Sequence, residues 1–444
     1  MVDALIEQVR EVPRLRRLGR TRRVVGLVIE ATGLEDVALG ELCRVRSPSD
    51  DHSVLAEVIG FEGGRILLMP LGDLEGVQPG STVEPFGRTF GVEVGPGLLG
   101  RVLNGLGHPM DGRGDLGPTE RVPLSADPPN PLDRETIDEP LSTGVRSVDG
   151  MLTLGRGQRI GIFSGSGVGK STLLGMMARH SSADVNVIAL LGERGREVRS
   201  FLEDALGEEG LERSVVVVAT GDEAALLRAR GAMVATSIAE HFRDQGKHVM
   251  LMLDSITRVA MAWREIGLAA GEPPTTKGYP PSVFAKLPRL LERAGNGADG
   301  DISGIYTVLV EGDDLSEPVA DAARSVLDGH IVLDRDLADA GHFPAVDVLQ
   351  SKSRVRDEVI DEEHRSAAVD VAEVLAARRE KEDLISVGAY QEGADPSVDA
   401  ALRLEDDLRD FLQQRPEERS DLPEARARLI DIADRIDRSP ESEA

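Results

Sequence analysis

The spacing of apolar residues changes character along the chain, and each change marks a boundary. Residues 24–90 alternate. The stretches VVGLVIEATG, LGELCRVRS, SVLAEVIGFEGGRILLMPL and STVEPFGR carry β-branched or alternating apolar positions, punctuated by Gly, Asp and Pro. That is the pattern of short strands joined by tight turns, and several of them together predict a small closed β-barrel. Residues 91–140 lose the alternation: GRVLNGLGHPMDGRG and LSADPPNPLDR are rich in Gly and Pro. This region is read as a linker, its second half held extended by proline. Across 141–360 continuous apolar runs take over, among them RIGIF (159–163), VNVIALL (185–191), SVVVVAT (214–220), HVMLMLD (248–254) and ISGIYTVLV (302–310). Such runs suit strands covered on both faces, and the helical stretches between them predict a doubly wound parallel α/β sheet. Ligands of such a sheet sit at the carboxyl ends of its strands. Residues 361–444 read as a helical domain, with DVAEVLAARREKEDLI and SVDAALRLEDDLRDFLQQ, and the closing SPESEA reads as disordered.

Charge modifies this picture at both ends. Residues 1–23 hold seven arginines against Asp3, Glu7 and Glu11, and MVDALIEQVREV is amphipathic up to Pro13. Two readings fit: a helix that docks on a partner or an anionic surface, or a solvated, frayed terminus. Over 371–444 some 20 acidic residues face 11 basic ones, as on solvated helix faces or on a surface that recruits cargo or chaperones. The whole chain of 444 residues carries a net charge of -27, and its pI is near 4.8. That balance argues against a dominant nucleic-acid interface, as does a barrel without interleaved aromatic and basic residues. An assembly role suits the barrel better. Cys43 is the only cysteine, which excludes an internal disulfide and a cysteine metal cluster. It reads as a small, half-buried strand residue. With no signal peptide and no apolar run of membrane-spanning length, the chain is expected in the cytoplasm. Aromatic residues make up 3% of the chain, so Leu, Val, Ile and Ala must build its cores.

The chemistry centres on Ser164 to Ser171, SGSGVGKS, placed between the RIGIF strand and the helical run STLLGMMAR. Strand, glycine-rich loop and helix are the context of a phosphate-binding loop. Gly165, Gly167 and Gly169, spaced by Ser166 and Val168, let backbone N–H groups turn toward a polyphosphate, and the helix adds its positive end. Lys170 can reach the β- and γ-phosphates, and the Ser171 hydroxyl, next to Thr172, can hold Mg²⁺. Ser164 stands where the usual pattern has Gly.

Other candidates sit at strand ends. Asp254 closes HVMLMLD and suits either the water shell of Mg²⁺ or the capping of the following helix. Glu193, in GERGREV, is placed to orient an attacking water, or else to pair with Arg194 or Arg196. Arg354, in SKSRVR, has the chemistry to offset phosphoryl charge, although on residue type alone it reads as a surface arginine. Phe343, in GHFPAVDV, suits either an adenine face or core packing. GLAAGEPPTTKGYPPS (267–282), with two Pro-Pro pairs, is stiff in places and bent in others, as in a moving or pore-lining segment.

GRGQRIGIFSGSGVGKSTLLGMMAR, LLGERGREVRSFLE, LMLDSITRVAMAWREIGLAAGEPPTTKGYPPSVFAKLPRLLERAG, YTVLVEGDDLSEPVADAARSVLDGHIVLDR and FPAVDVLQSKSRV together resemble the flagellum-specific export ATPases of type III secretion. Those are in turn similar to the catalytic subunit of rotary ATP synthases. The resemblance is close over roughly 140–360, looser over the barrel and weak in the C-terminal helices. It implies a P-loop (RecA-like) α/β core, with ATP and Mg²⁺ as nucleotide and ion. Carried over by position, Lys170 and Ser171 bind phosphate and Mg²⁺, Glu193 activates water with Arg194 beside it, and Asp254 ends the second nucleotide-site strand. Arg258 matches a nearby basic position, Arg354 the arginine finger given by a neighbouring subunit, and Phe343 the aromatic beside adenine. Ser164 and GEPPTTKGYPPSVF fit the export branch. The expected function is Mg-dependent ATP hydrolysis assisting export of flagellar proteins. The alternatives are the ATPase of a virulence-type injection system and, further off, a rotary synthase subunit, an RNA-translocating hexamer or a nucleotide-binding structural subunit. The resemblance further implies a regulator on the N-terminal segment, export chaperones with cargo, a central stalk protein and a membrane export gate, with the enzyme at the cytoplasmic face of the inner membrane. One chain carries both Glu193 and Arg354, so a homohexamer with sites shared between identical subunits is expected.

Overall fold

The computed structural model describes residues 17–48, 52–132, 134–310 and 317–436. Six strands close the N-terminal barrel: Gly19–Val25, Val28–Thr32, Arg65–Pro70, Ser53–Glu62, Glu41–Arg46 and Thr82–Thr89, in that spatial order. Closure leaves no free sheet edge. The inward positions Ile29, Ala31, Val45, Ala56, Val58, Leu68 and Val83 fill the interior. Cys43 is one of them and is fully buried rather than half-buried, and burial pushes its thiol up to about 12. The barrel begins inside the basic N-terminal segment. Thr21 faces inward, while Arg22 and Arg23 bond Thr32 and Glu30 on the outer surface. These arginines therefore belong to a strand. The amphipathic run proposed as a docking helix lies outside the described residues.

The second domain is a sheet with the strand order Val346–Ser353, Gly329–Leu333, Arg159–Ser164, Asp301–Leu309, His248–Asp254, Val185–Leu191, Ser214–Ala219 and Arg101–Asn104. All its neighbours are parallel except the first pair, and Gly295–Asn296 adds a short antiparallel pairing to Asp301–Leu309. The continuous apolar runs have the cause expected of them. Val187, Ala189 and Leu191 point into one core with Val215, Val217, Leu251 and Leu253. Ile188 and Leu190 point into the other with Val216, Val218, Met250 and Met252. Period-2 geometry sends neighbours to opposite faces, and both faces are covered.

The stretch 91–140 carries more than a connection. Arg101–Asn104 is the outermost strand of the sheet, and Val92, Val94, Leu98, Leu103 and Leu124 enter its core. Glu57 of the barrel also grips this domain, receiving Arg230 Nε at 2.9 Å and a second guanidinium nitrogen as well.

The C-terminal helices Glu362–Glu380, Pro396–Arg403, Glu405–Leu412 and Leu422–Ile436 pack on the second face of the sheet through Val371, Leu404, Phe411 and Leu429. Their attachment turns on Arg146, whose side chain is 1% exposed. Its guanidinium donates to the carbonyls of Phe411, Asp410 and Gln413 at 3.0, 2.9 and 2.6 Å, and it pairs with Glu418. One buried cation thus satisfies the open end of the Glu405–Leu412 helix.

Candidate active site

The phosphate loop leaves the Arg159–Ser164 strand and enters the helix Lys170–His180. Two of its three glycines use left-handed backbone: Gly167 at φ +83° and Gly169 at φ +89°. The Gly167 position opens on free space. Val168 between them anchors the loop in the core. Ser166, Ser171 and Thr172 are exposed on the loop and first helical turn, while Gly165 is buried beneath. The helix can lie low because Gly175 carries no side chain; a Cβ there would sit 2.5 Å from the Ala205 carbonyl oxygen.

Three charged side chains converge beside the loop. Lys170 Nζ lies 3.2 Å from Glu193 Oε1 and pairs still more tightly with Asp254 Oδ1. The three side chains are 11%, 16% and 2% exposed respectively. The topology explains the meeting. Asp254 and Leu190 are register partners on adjacent strands, and Glu193 follows Leu191 by two residues. The strand Asp301–Leu309 runs between the Lys170 loop and Asp254, and its Thr307 hydroxyl donates to Asp254 Oδ1 at 2.7 Å. Burial works against the Lys170 ammonium, but Asp254 and Glu193 outweigh it and hold the pKa above that of an ordinary lysine. Burial raises the Glu193 carboxyl, with Lys170 opposing and the charge of Asp254 and a hydrogen bond with Glu197 adding to the rise. Glu197 is lowered, chiefly as the acceptor in that bond.

The remaining candidates divide. The Phe343 ring lies over the loop, 3.4 Å from where a Cβ on Gly169 would be, and is 45% exposed. It is therefore not a core residue. Arg258 lays its stem against Gly192, and its Nε is buried without a hydrogen-bond partner among the described residues. Ser164 Oγ is likewise buried without one. Arg194 is exposed and pairs with Glu197 at 3.6 Å. Ser255, rather than Asp254, caps the helix Ile256–Ala269 by accepting from Arg258 N. Arg354 is exposed at the far end of the sheet. Its N–H bonds Asp328 O, whose own N–H bonds Arg159 O, at the opposite end of the strand from Ser164. The loop after the Ile256–Ala269 helix is tethered by Tyr279, which is buried against Phe284 and beneath Arg264.

Sequence reasoning missed Thr307 and Glu197. Each had a signal: a lone hydroxyl near the carboxyl end of an apolar run, and a carboxylate one helical turn after Glu193.

A nucleotide fits this donor set. The loop presents backbone N–H groups, Lys170 has its ammonium at the loop's mouth, and Arg258 keeps an unpartnered buried nitrogen nearby. Among the described residues no group of three or more His, Cys, Asp or Glu could hold a metal ion. A Mg²⁺ ion fits all the same, because beside a polyphosphate it draws on phosphate oxygens, water and one hydroxyl, here that of Ser171.

Comparison with known proteins agrees with this geometry. Residues 144–353 match the nucleotide-binding domain of the ATP synthase alpha/beta family, and residues 22–87 match that family's beta-barrel domain. The C-terminal helices, where the resemblance was expected to be weak, match the T3SS EscN ATPase C-terminal domain over residues 360–431. The chain is 52% identical over 433 residues to the "Flagellum-specific ATP synthase" of Bacillus subtilis, covering 97% of this chain and 98% of that protein. It is 52% identical over 399 residues to the "Type 3 secretion system ATPase" of Xanthomonas euvesicatoria, covering 90% of each. The assembled ATPase EscN of the enteropathogenic E. coli type III secretion system superposes with a TM-score of 0.88 at 45% identity, over 94% of this chain and all of that one. EscN in complex with its central stalk EscO gives 0.86 at 44% identity, with the same coverage. The chain belongs to the ATP synthase alpha/beta family, among the flagellum-specific ATP synthases and type III secretion ATPases.

Proposed function

We propose that this chain is a Mg²⁺-dependent ATP hydrolase that assists export of flagellar proteins through a type III secretion apparatus. The observation that carries the reading is Lys170 held between Asp254 and Glu193 at the carboxyl ends of adjacent strands. An entering triphosphate offers the ammonium stronger partners than either carboxylate. Lys170 moves onto the phosphates, and Glu193 is released to accept a hydrogen bond from the attacking water. Ser171 and Asp254 would hold the ion and its water, Thr307 keeps Asp254 oriented, and the exposed Phe343 ring offers a face to adenine. Mg²⁺, when bound, would supply neutralisation of phosphate charge.

Arg354 acts on a neighbour's site, since it lies at the other end of its own sheet. That requires a ring of identical subunits, as in a homohexamer, and the solved relative EscN is an assembled ATPase. By the same likeness, a central stalk protein would enter the ring. A regulator at the N-terminal segment, chaperone–cargo complexes and the membrane export gate complete the expected partners, and the enzyme works at the cytoplasmic face of the inner membrane. The injection-system reading keeps support from relatives named for it at similar identity. Deleting the gene tests the choice. Loss of motility with secretion of flagellar subunits abolished supports the flagellar role, and full motility refutes it.

A further inference from the structure

A cavity of about 520 Å³ lies at the seam between the barrel and the nucleotide-binding domain, on residues that do not include Lys170, Glu193 or Asp254. Its floor is apolar: Leu226, Met233, Trp263, Ile266 and Leu290 face Val58 and Phe90 across it. The walls are fixed by ion pairs. Arg230 is clamped by Glu57 of the barrel, and Arg293 donates to Leu124 O at 2.8 Å and pairs with Glu240. Arg230–Glu57 ties the barrel to the nucleotide-binding domain at one edge of the space, and the Arg293 bonds fix the wall on the second domain's side. At the mouth stand Lys286 and Arg289, one helical turn apart on Pro281–Leu291. Both are exposed, and neither makes a hydrogen bond or ion pair among the described residues. The other two guanidinium groups of the lining are already neutralised.

An apolar floor, ion-paired walls and two cations without a hydrogen-bond partner, with the Asp127 carboxylate also on the lining and the charge of Glu272 acting on Lys286, describe a ligand site. Its size falls in the range of small-molecule pockets, about 300–1,000 Å³. Among the described residues no glycine-rich loop lines the space, which sets it apart from the nucleotide site. We propose that this cavity binds a small amphiphile carrying a single negative charge, with its apolar body between Trp263 and the barrel and its carboxylate or equivalent head at Lys286 and Arg289.

Trp263 is the only tryptophan of the chain, so its fluorescence reports on this cavity directly. The test titrates the full-length protein with dodecanoate below micelle formation, and in parallel with dodecyltrimethylammonium, which has the same tail and the opposite charge. The expected result is a saturable change with one equivalent of dodecanoate, weakened about tenfold or more in the Lys286→Gln/Arg289→Gln variant. The cation should bind at least about tenfold more weakly, and saturating MgADP should leave dodecanoate in place. Both substitutions are exposed, and unchanged circular dichroism and MgATP turnover without ligand confirm that the variant is folded. No saturable change, equal binding by the double variant or the cationic probe, or displacement by MgADP would each overturn the proposal.

Discussion

Lys170 Nζ stands 3.2 Å from Glu193 Oε1 while the same ammonium also holds Asp254. One cation keeps two inward-facing carboxylates together. Lys170→Met removes that restraint and the proposed phosphate contact. Nucleotide affinity should fall by roughly 10²-fold or more, since charge-assisted hydrogen bonds contribute about 1.5–3 kcal/mol each. Calorimetric titration with MgADP measures it, and affinity within threefold of wild type would be the wrong result for this site.

Arg354 sits at the far end of the sheet from Lys170, bonded through its N–H to Asp328 O at 2.9 Å. Its guanidinium cannot serve its own subunit's loop from there. Arg354→Ala should lower turnover by about 10³-fold, the lower range for an arginine finger, with nucleotide binding retained. Mixed with Glu193→Gln subunits, it should regain part of the activity, because some interfaces then receive an intact pair. Phosphate release by the mixture reads this out, and a mixture as inactive as its parents would contradict shared sites.

Arg146 joins the C-terminal helices to the sheet through three carbonyls and Glu418. Arg146→Met leaves those three buried carbonyls without their donor. A cost of about 3–5 kcal/mol is expected, from buried carbonyls left without a donor at about 1–3 kcal/mol each. Thermal unfolding should resolve early loss of the C-terminal helices, followed by tryptic cleavage within them. A melting curve unchanged from wild type would remove Arg146 from this role.

Asp149 is buried where the C-terminal domain attaches, and burial raises its carboxyl to about 6, against hydrogen bonds from Thr143, Ser142 and Gly144. In the unfolded chain it titrates near 3.8. The stability tied to its protonated form is therefore complete below the lower value and is lost as pH rises through the upper one. The difference amounts to about 3 kcal/mol at roughly 1.4 kcal/mol per pH unit. Asp149→Asn does not titrate, so its penalty relative to wild type should shrink between pH 4.5 and 7.5. Denaturant unfolding at the two pH values checks the sign, and a penalty that grows with pH would reverse it.

Much of the site was legible because its chemistry demands particular residues at particular spacings. SGSGVGKS between an apolar strand and a helix left few other uses for Lys170, and carboxylates ending continuous apolar runs had to lie at the ligand-binding edge. The edge strand Arg101–Asn104 was hidden because its apolar content is two residues, Val102 and Leu103, among glycines. The barrel's first strand was masked by its arginines, whose charged ends lie outside while Thr21 is buried and Val24 packs against the barrel core. Arg146 looked like any other arginine of an arginine-rich chain, for burial of a single cation depends on carbonyls some 265 residues away in sequence. Thr307 needed the strand order itself, since nothing local announces that Asp301–Leu309 inserts between the loop and Asp254.

The most direct measurement is phosphate release from MgATP by the purified chain beside Glu193→Gln. Substitution by the amide keeps the shape and removes the charge proposed to orient water. The account predicts steady turnover in the wild type, and in the variant a loss of about 10²–10⁴-fold with MgATP binding intact. Turnover in the variant equal to that of the wild type would contradict it.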